Sequence, residues 1–174
     1  MIPKRAYLCL GANMGDARKN LEAARARLME GGAVIEASSA LYRTPAWGPI
    51  AQDAYLNQVL AVRSPLPARA LLQLALDIER AIGRDRAREI RYGPRVIDID
   101  ILLFEGERSV GDELHLPHPR LMERAFALAP LVEIAPDLCI DGLRVADVLA
   151  RLDASGIERL PFETNANQTD TILD

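Results

Sequence analysis

Residues 96–104 restrict the fold of this chain more than any other segment, because isoleucine and aspartate alternate there inside an apolar run. Successive side chains of a β-strand point to opposite faces, so the alternation predicts a strand whose isoleucines share one face. Asp98 and Asp100 then share the other face, about 6.6 Å apart along the backbone. The strand should therefore bury its isoleucines and hold both carboxylates together on the opposite side.

A strand face that carries two carboxylates predicts a metal site. Aspartate is disfavoured in strands, and two like charges on one face repel each other unless a cation binds between them. Magnesium takes oxygen ligands from one or two carboxylates and completes its coordination with water and phosphate oxygens. We therefore predict that Asp98 and Asp100 bind Mg²⁺, with a solvated polar face as the alternative.

Five arginines fall within residues 84–95, immediately before this strand. We predict that these residues form a long mobile loop, a kind of segment that is usually functional or disordered. Guanidinium groups beside a divalent metal suit a polyphosphate, because phosphoryl transfer depends on metals, cationic clamps and positioning. A solvated charged loop is the alternative. The sequence contains no P-loop pattern, so the predicted site is not of the Walker type.

A second group of residues could bind a flat heterocycle. Trp47 lies in a loop segment that contains two prolines, and Phe126 lies in a predicted helix. Tyr55 and Asn57 begin the strand that follows the loop. Aromatic rings can enclose a heterocycle while an amide reads its donor and acceptor edge, although core packing is the alternative for the rings. His118, between two prolines, either contacts phosphate or caps a turn.

Hydrophobic periodicity and turn residues predict the order of the elements. The predicted strands are 7–10, 34–42, 55–62, 96–104 and a weaker one at 109–113; the predicted helices are 16–30, 67–82, 121–134 with an interruption at Pro130, and 145–152. The main elements follow the order βαββαβ, which predicts an α+β fold with a ferredoxin-like core, an antiparallel sheet with helices packed on it. We predict one domain over 1–153 and a polar, weakly ordered C-terminal tail over 154–174.

Composition limits the classes of function. The chain has 174 residues, 49% of them hydrophobic, and a net charge of −4, which argues against a general nucleic-acid binder. The N-terminus lacks the apolar core of a signal peptide, and no apolar run is long enough for a membrane span. Cys9 and Cys139 lie in apolar stretches, as buried thiols in a reducing compartment would. We expect a cytoplasmic protein without nucleic-acid or membrane partners.

Several motifs occur together and in one order along the chain. They are 11–16 (GANMGD), 42–45 (YRTP), 55–57 (YLN), 83–84 (GR), 93–95 (GPR) followed by 97–101 (IDIDI), and 117–120 (PHPR), with Arg124 and Phe126. From about Tyr7 to Leu152 the chain resembles the 6-hydroxymethyl-7,8-dihydropterin pyrophosphokinase family of folate biosynthesis. The GPR–IDIDI block and the PHPR block are specific in combination.

The resemblance implies transfer of the terminal pyrophosphoryl group of ATP, the co-substrate, to the hydroxymethyl oxygen of the pterin, with release of AMP. Two Mg²⁺ ions bound by Asp98 and Asp100 would bridge the triphosphate. The residues implied in catalysis are Asp98, Asp100, Arg84 and Arg95. Those implied in nucleotide binding are Arg84, Tyr92, Arg95, Ile101, His118 and Arg124. Those implied in pterin binding are Thr44, Pro45, Trp47, Tyr55, Asn57, Asp98 and Phe126.

The resemblance also implies individual roles. Asn57 would read the pterin edge while Tyr55 and Phe126 stack on the ring, and Asp100 is a candidate acceptor of the hydroxyl proton. The loops 44–53 and 84–92 correspond to loops that close over the substrates in the family and exclude water.

Two positions depart from the family pattern. Tyr92 stands where the family usually has tryptophan, which puts loop closure in question more than chemistry, and Ala12 replaces a common serine.

We expect a monomer that acts on small molecules. One alternative keeps the metal site but assigns nucleotidyl transfer or phosphate-ester hydrolysis. Another is a non-enzymatic RNA-binding module, which would need an exposed aromatic row and a basic surface.

Overall fold

An antiparallel β-sheet forms the centre of the structure, a computed structural model that describes residues 2–161. Its strands are β1 (Lys4–Ala12), β2 (Val34–Ser38), β3 (Tyr42–Thr44), β4 (Tyr55–Ser64), β5 (Asp98–Phe104) and β10 (Glu158–Arg159). Two hairpins lie outside it, formed by β6 (Ser109–Val110) with β7 (His115–Leu116) and by β8 (Cys139–Ile140) with β9 (Leu143–Arg144). The helices are α1 (Ala17–Glu30), α2 (Ala68–Ile82), α3 (Ala125–Ile134), α4 (Val145–Leu149) and a 3-10 turn at Leu121–Glu123.

The strand order across the sheet is β10-β3-β4-β1-β5, and β2 also pairs with β4. Every pairing is antiparallel. This architecture confirms the predicted α+β class and the predicted antiparallel sheet. Strand β1 lies between β4 and β5, so its backbone is hydrogen-bonded to a neighbouring strand on both edges.

Helices cover both faces of the sheet, and the alternation along β1 separates the two cores. Leu8 and Leu10 pack in a core with residues of α1 and α2. Cys9, on the opposite face, packs in a second core with residues of α3 and α4. The isoleucines of 97–101 are all buried in the first core, as the alternation predicts. The aspartates of β5 therefore lie on the face that carries α3.

The predicted strand 34–42 is wrong as a single element, because the chain leaves the ladder between β2 and β3. Side chains accept hydrogen bonds from backbone N–H groups at this break. The buried Ser39 hydroxyl accepts a hydrogen bond from Val59 N at 3.0 Å, and the Glu133 carboxylate accepts one from Ala40 N at 3.1 Å. Residues 39–41 thus form an ordered break that single-sequence periodicity does not reveal.

The predicted helix 121–134 is interrupted at Arg124 and not at Pro130. Arg124 has a non-helical backbone (φ −107°, ψ 89°), and its carbonyl accepts hydrogen bonds from Ala127 N and Leu128 N. It therefore ends the 3-10 turn and begins α3. Pro130 lies inside α3, whose helical backbone continues past it to Ile134.

Three further expectations need correction. The last helix ends at Leu149, three residues before the predicted end at Leu152. Cys139 is exposed, whereas Cys9 is buried. The weakly ordered tail predicted from residue 154 instead contributes β10, which pairs with β3, and Leu160 N donates to Leu41 O at 2.8 Å. The rest of that predicted tail, 162–174, lies outside the described residues.

Residues 83–97 contain no helix or strand within the described chain, in agreement with the predicted loop; its mobility stays a prediction. Among residues 2–161, no helix is both long and apolar enough to cross a membrane.

The outer edge of β5 is closed by a side chain from α2. Glu79 is 1% exposed, and its carboxylate accepts a hydrogen bond from Ile99 N at 2.8 Å. The same carboxylate pairs with Arg84 at 2.9 Å and with Arg86 at 2.7 Å. Burial raises the pKa of Glu79, and the arginine partners oppose that shift. An edge strand that carries two aspartates is thus fixed by one buried carboxylate.

We expect Glu79→Ala to lower the free energy of unfolding by about 3–5 kcal/mol, because it leaves buried Arg84 undercompensated and Ile99 N without its acceptor. Glu113→Ala is the matched control, since Glu113 pairs with Arg69 on the surface, where both side chains are at least 75% exposed. That change should cost less than about 1 kcal/mol. Urea unfolding followed by circular dichroism measures both, and equally small effects would contradict the assigned role of Glu79.

Candidate active site

A depression opens at one end of the sheet, on the face that carries α3. It gathers residues from β1, β3, β4 and β5, from both long loops and from the start of α3. Its lining consists of Cys9, Gly11, Thr44, Pro45, Trp47, Tyr55, Asn57, Tyr92, Gly93, Arg95, Asp98, Asp100, Arg124 and Phe126. Most of the predicted phosphate and pterin residues therefore lie in one place.

Both aspartates of β5 line this depression, as their alternation predicts. In the antiparallel ladder Asp98 lies opposite Gly11 and Asp100 lies opposite Cys9. Each carboxylate has an arginine partner: Arg84 Nη1 lies 2.5 Å from an oxygen of Asp98, and Arg124 Nη1 lies 3.3 Å from an oxygen of Asp100. The pair is therefore partly neutralised by guanidinium groups from two different parts of the chain.

The carboxyl group of Asp100 is poorly stabilised in its charged form. Burial, followed by the neighbouring charge of Asp98, raises the pKa of Asp100 to about 7, against the opposing effect of Arg124. Among the described residues, Arg124 Nε is buried and has no hydrogen-bond partner. The depression thus contains a carboxyl that a cation would stabilise and a buried donor that an anionic ligand could use.

Arg84 lies beneath the depression and does not line it. Its side chain is 3% exposed, and its guanidinium contacts Asp98, Glu79 at 2.9 Å and Glu89 at 2.6 Å. Its Nη1 also lies 3.2 Å from the carbonyl oxygen of Ile97. Although burial opposes the charged form, these carboxylates raise the pKa of Arg84 above its ordinary value. Arg84 therefore joins α2, the arginine-rich loop and β5.

Arg95 does line the depression, and the turn after β1 positions its backbone. Asn13 Oδ1 accepts a hydrogen bond from Arg95 N at 2.7 Å, and the Arg95 carbonyl accepts one from Asn13 N at 3.0 Å. The guanidinium of Arg95 pairs with Glu89. Asn13 also donates through Nδ2 to Gln52 Oε1 at 2.9 Å, so one side chain links the arginine-rich loop to the Trp47 loop.

An amide and aromatic rings form the other side of the depression. Asn57 is 4% exposed, and its Nδ2 donates to Thr44 Oγ1 at 2.7 Å. A Cβ atom on Gly11 would lie 2.6 Å from Asn57 Oδ1, so only glycine lets this amide approach β1. The Tyr55 hydroxyl donates to Gly93 O at 3.1 Å. The polar groups on this side are held in place by their neighbours.

The two long loops meet above the depression. The Trp47 and Tyr92 rings make an edge contact with centroids 5.8 Å apart, and the Arg120 guanidinium lies 4.3 Å from the Trp47 centroid. Gln52 Nε2 donates to Tyr92 O at 2.6 Å. Tyr92, which replaces the expected tryptophan, has a left-handed backbone (φ 61°) and packs against Gly48.

Three predicted site residues lie outside the depression. Arg84 lies beneath it, and Ile101 is buried in the core of the opposite face. His118 caps a turn, since its Nδ1 accepts a hydrogen bond from Arg120 N at 3.2 Å. Burial lowers the pKa of His118 to about 4, so its imidazole is neutral at pH 7. The sequence left two roles open for His118, a contact with phosphate and the capping of a turn. The structure contains the contact that caps the turn.

Several residues of the site were not predicted from the sequence as site residues. Cys9 and Gly11 could have been found from the alternation of β1, which places them on the face opposite Leu8 and Leu10. Glu79 and Glu89 carry no such signal, because their partners depend on how α2 and the loop pack.

The carboxylates of Asp98 and Asp100 are suited to the predicted magnesium site. Among the described residues, no group of three or more His, Cys, Asp or Glu side chains could hold a metal. Two carboxylates alone would leave most coordination positions to water and to ligand oxygens, which is how Mg²⁺ binds at phosphate sites. Asp98 and Asp100 are therefore suited to a metal that arrives with a phosphate ligand.

The fold and the site define an α+β protein with paired carboxylates, arginines and an aromatic, amide-bearing wall in one depression, a combination suited to phosphate transfer onto an organic acceptor. Residues 7–136 match the model of the family described as 7,8-dihydro-6-hydroxymethylpterin-pyrophosphokinase (HPPK), and the chain belongs to this family.

Relatives with this description cover most of the chain. A 2-amino-4-hydroxy-6-hydroxymethyldihydropteridine pyrophosphokinase of Methylorubrum extorquens is 50% identical over 157 residues, which are 90% of this chain and 98% of the relative. One from Bacillus subtilis is 42% identical over 130 residues, 74% of this chain and 77% of the relative.

Solved structures of similar fold include an HPPK-DHPS in complex with substrates, with a TM-score of 0.66 at 14% identity over 86% of this chain. A Plasmodium falciparum HPPK-DHPS (A437G) has a TM-score of 0.65 at 14% identity over 85% of this chain. This chain spans less than half of those chains, 43% and 45% of them. At this identity the likeness shows the fold alone.

Asp100→Asn should stabilise the metal-free protein at pH 8. Because the folded-state pKa of Asp100, about 7, lies above its unfolded value, the folded state binds more protons, and stability falls as pH rises between these two values. The side chain is 34% exposed, so solvent screening reduces the effect to a gain of about 1–2 kcal/mol.

Urea unfolding in the presence of a chelator tests this expectation. The gain should shrink as the pH is lowered toward about 4, where the carboxyl of the unfolded chain also takes up a proton. Asp98→Asn is the control, because it removes a partner of buried Arg84 and should destabilise the protein. A loss of stability in Asp100→Asn at pH 8 would contradict the conclusion that burial and the charge of Asp98 destabilise the charged form of Asp100.

Proposed function

We propose that the protein transfers pyrophosphate from ATP to the hydroxymethyl group of 6-hydroxymethyl-7,8-dihydropterin, with release of AMP, as a magnesium-dependent enzyme of folate biosynthesis. One observation carries the proposal: in a chain of the HPPK family, a single depression holds Asp98 and Asp100 beside arginines and opposite Asn57 and its aromatic neighbours. A polyphosphate and a flat heterocycle could therefore meet there.

The acidic and basic side of the depression is the proposed nucleotide side. Asp98 and Asp100 would hold two Mg²⁺ ions, which when bound neutralise phosphate oxygens and make the β-phosphorus more electrophilic. Arg95 and Arg124 would bind phosphate oxygens through charge-assisted hydrogen bonds. Arg124 Nε supports this role, because it is a buried donor without a partner among the described residues.

Asn57 and the rings form the proposed pterin side. With Nδ2 donating to Thr44, the Asn57 carbonyl oxygen is oriented to accept hydrogen bonds from a ring amino or amide group. Tyr55 and Phe126 would pack on the ring, and Trp47 and Pro45 would close the outer side. Specificity would come from the buried amide, since a ligand that lacked its partner groups would leave it unpaired.

The reaction we propose is attack of the pterin hydroxyl oxygen on the β-phosphorus, with AMP as the leaving group. Orientation of the two substrates in one depression would supply a large part of the rate, as in other phosphoryl transfers. We assign Asp100 as the candidate acceptor of the hydroxyl proton. The contact between the Trp47 loop and Tyr92 would exclude water from the reacting phosphate.

We also propose that the core is ferredoxin-like. The strand order supports this, since β1 and β4 lie at the centre, β5 at one edge and the broken β2–β3 strand toward the other. The monomeric state and the cytoplasmic location stay predictions, as do the nucleotide roles of Arg84, Ile101 and His118.

Product analysis tests the reaction. ATP, Mg²⁺ and the hydroxymethyl dihydropterin should yield AMP and pterin pyrophosphate in equal amounts, whereas ADP or free pyrophosphate would contradict the proposal. Asp98→Asn and Asp100→Asn should each lower kcat by about a hundredfold or more, because each removes a charge from the proposed metal site. Asp112→Asn, at an exposed position between β6 and β7 that does not line the depression, is the control and should retain turnover.

The pterin assignment is tested by a pair of adjacent amides on β4. Asn57→Ala should raise the Kd for the pterin at least about tenfold, because it removes a buried hydrogen-bond partner. Gln58→Ala is the matched control: Gln58 is also buried but faces the other side, where its Nε2 donates to Ser39 O at 2.8 Å. Pterin fluorescence titrations should show a loss only for Asn57→Ala. Equal losses would indicate a structural role for both amides.

A further inference from the structure

Glu89 forms a bridge between two arginines of its own loop. Its Oε1 lies 2.6 Å from Arg84 Nε and its Oε2 lies 3.1 Å from Arg84 Nη2, a two-pronged contact. Oε2 also accepts a hydrogen bond from Arg95 Nη1. Both guanidiniums thus present their donors to the same carboxylate.

This contact has the geometry that guanidinium groups use for phosphate. Arginine binds carboxylate and phosphate in the same two-pronged way, because both anions present two oxygens at the spacing of the guanidinium donors. A ligand phosphate that bound both Arg84 and Arg95 would therefore compete with Glu89 for Arg84 Nε, Arg84 Nη2 and Arg95 Nη1, the donors that the carboxylate now occupies.

Glu89 differs from the other carboxylates around Arg84. Glu79 lies on α2 and also fixes the edge of β5, and Asp98 is held in the strand itself. Glu89 lies in a loop, its hydrogen bonds come from the two arginines, and its side chain is 19% exposed. It is the carboxylate of this cluster that can leave without breaking a helix or a strand.

We propose that Glu89 is an internal competitor for phosphate: its carboxylate occupies Arg84 and Arg95 in the nucleotide-free protein and must leave when the polyphosphate binds. The inference rests on the proposed function, in which Arg95 binds phosphate, and on the predicted phosphate role of Arg84. It gives Arg84, buried beneath the depression, a route to the nucleotide. The competition also sets a threshold of affinity for anions that bind these arginines. Inorganic phosphate, which binds weakly, cannot displace the carboxylate at concentrations where a metal-bound triphosphate can.

The substitution Glu89→Gln tests the competition while preserving shape. A neutral amide is a weaker acceptor for a guanidinium than a carboxylate is, so the arginines become more available. Asp85→Asn is the matched control in the same loop: Asp85 pairs with Arg88, and the two side chains are 55% and 89% exposed. Both changes remove one negative charge from the loop, so a general charge effect would alter both variants equally.

The probe is tripolyphosphate in Mg²⁺ buffer, measured by calorimetric titration. We expect Glu89→Gln to lower its Kd about tenfold, which corresponds to about 1.4 kcal/mol, and Asp85→Asn to leave it within about twofold. The Kd for the pterin should be unchanged in both variants. An unchanged or higher Kd for tripolyphosphate in a natively folded Glu89→Gln protein, or an equal decrease in Asp85→Asn, would overturn the proposal.

A structure of the wild-type complex with Mg²⁺ and tripolyphosphate keeps the proposal testable if the variant does not fold. The Glu89 carboxylate should then lie beyond contact distance from both guanidiniums; retained contacts with a bound polyphosphate would overturn it. Failure of the proposed function looks different. In that case the wild-type protein makes no pterin pyrophosphate, whatever the effect of Glu89→Gln on tripolyphosphate binding.

Discussion

The buried ion cluster around Arg84 is the interaction on which the rest of the site depends. A guanidinium that is 3% exposed is stable only if carboxylates surround it, because the loss of hydration is otherwise too large. Those carboxylates come from α2, from the arginine-rich loop and from β5, namely Glu79, Glu89 and Asp98. The need to neutralise one buried charge therefore brings three elements together and fixes the strand that carries the aspartates.

Hydrogen bonds of two amide side chains connect the two long loops. Asn13, in the turn after β1, holds the backbone of Arg95 and also binds Gln52, which in turn binds the backbone of Tyr92. The loop proposed for phosphate and the loop proposed for the pterin are thus joined by two amide side chains. A change of position in one loop must alter the hydrogen bonds of the other, which connects the two halves of the depression without any direct contact between substrates.

The sequence predicted those features whose signal is local. The alternation of 97–101 has a period of two and correctly assigned the faces of β5, because one face had to be buried. It could not predict the break at Ser39 or the pairing of β10 with β3, since both depend on partners far away in the chain. Arg84 shows the same limit within the site: the residue type suggested a phosphate ligand, but its depth beneath the depression was set by Glu79, on another element.

Charge balance explains why a metal belongs in the proposed reaction. The four carboxylates Glu79, Glu89, Asp98 and Asp100 pair with the four guanidiniums Arg84, Arg86, Arg95 and Arg124, so the resident charges already offset each other. A triphosphate added to such a site brings negative charge that the arginines cannot neutralise without releasing carboxylates. Release of Glu89 removes one negative charge from the cluster, which is less than the charge that a triphosphate brings. The balance must come from cations that arrive with the nucleotide, and Asp98 and Asp100 are the carboxylates on the depression wall suited to receive them.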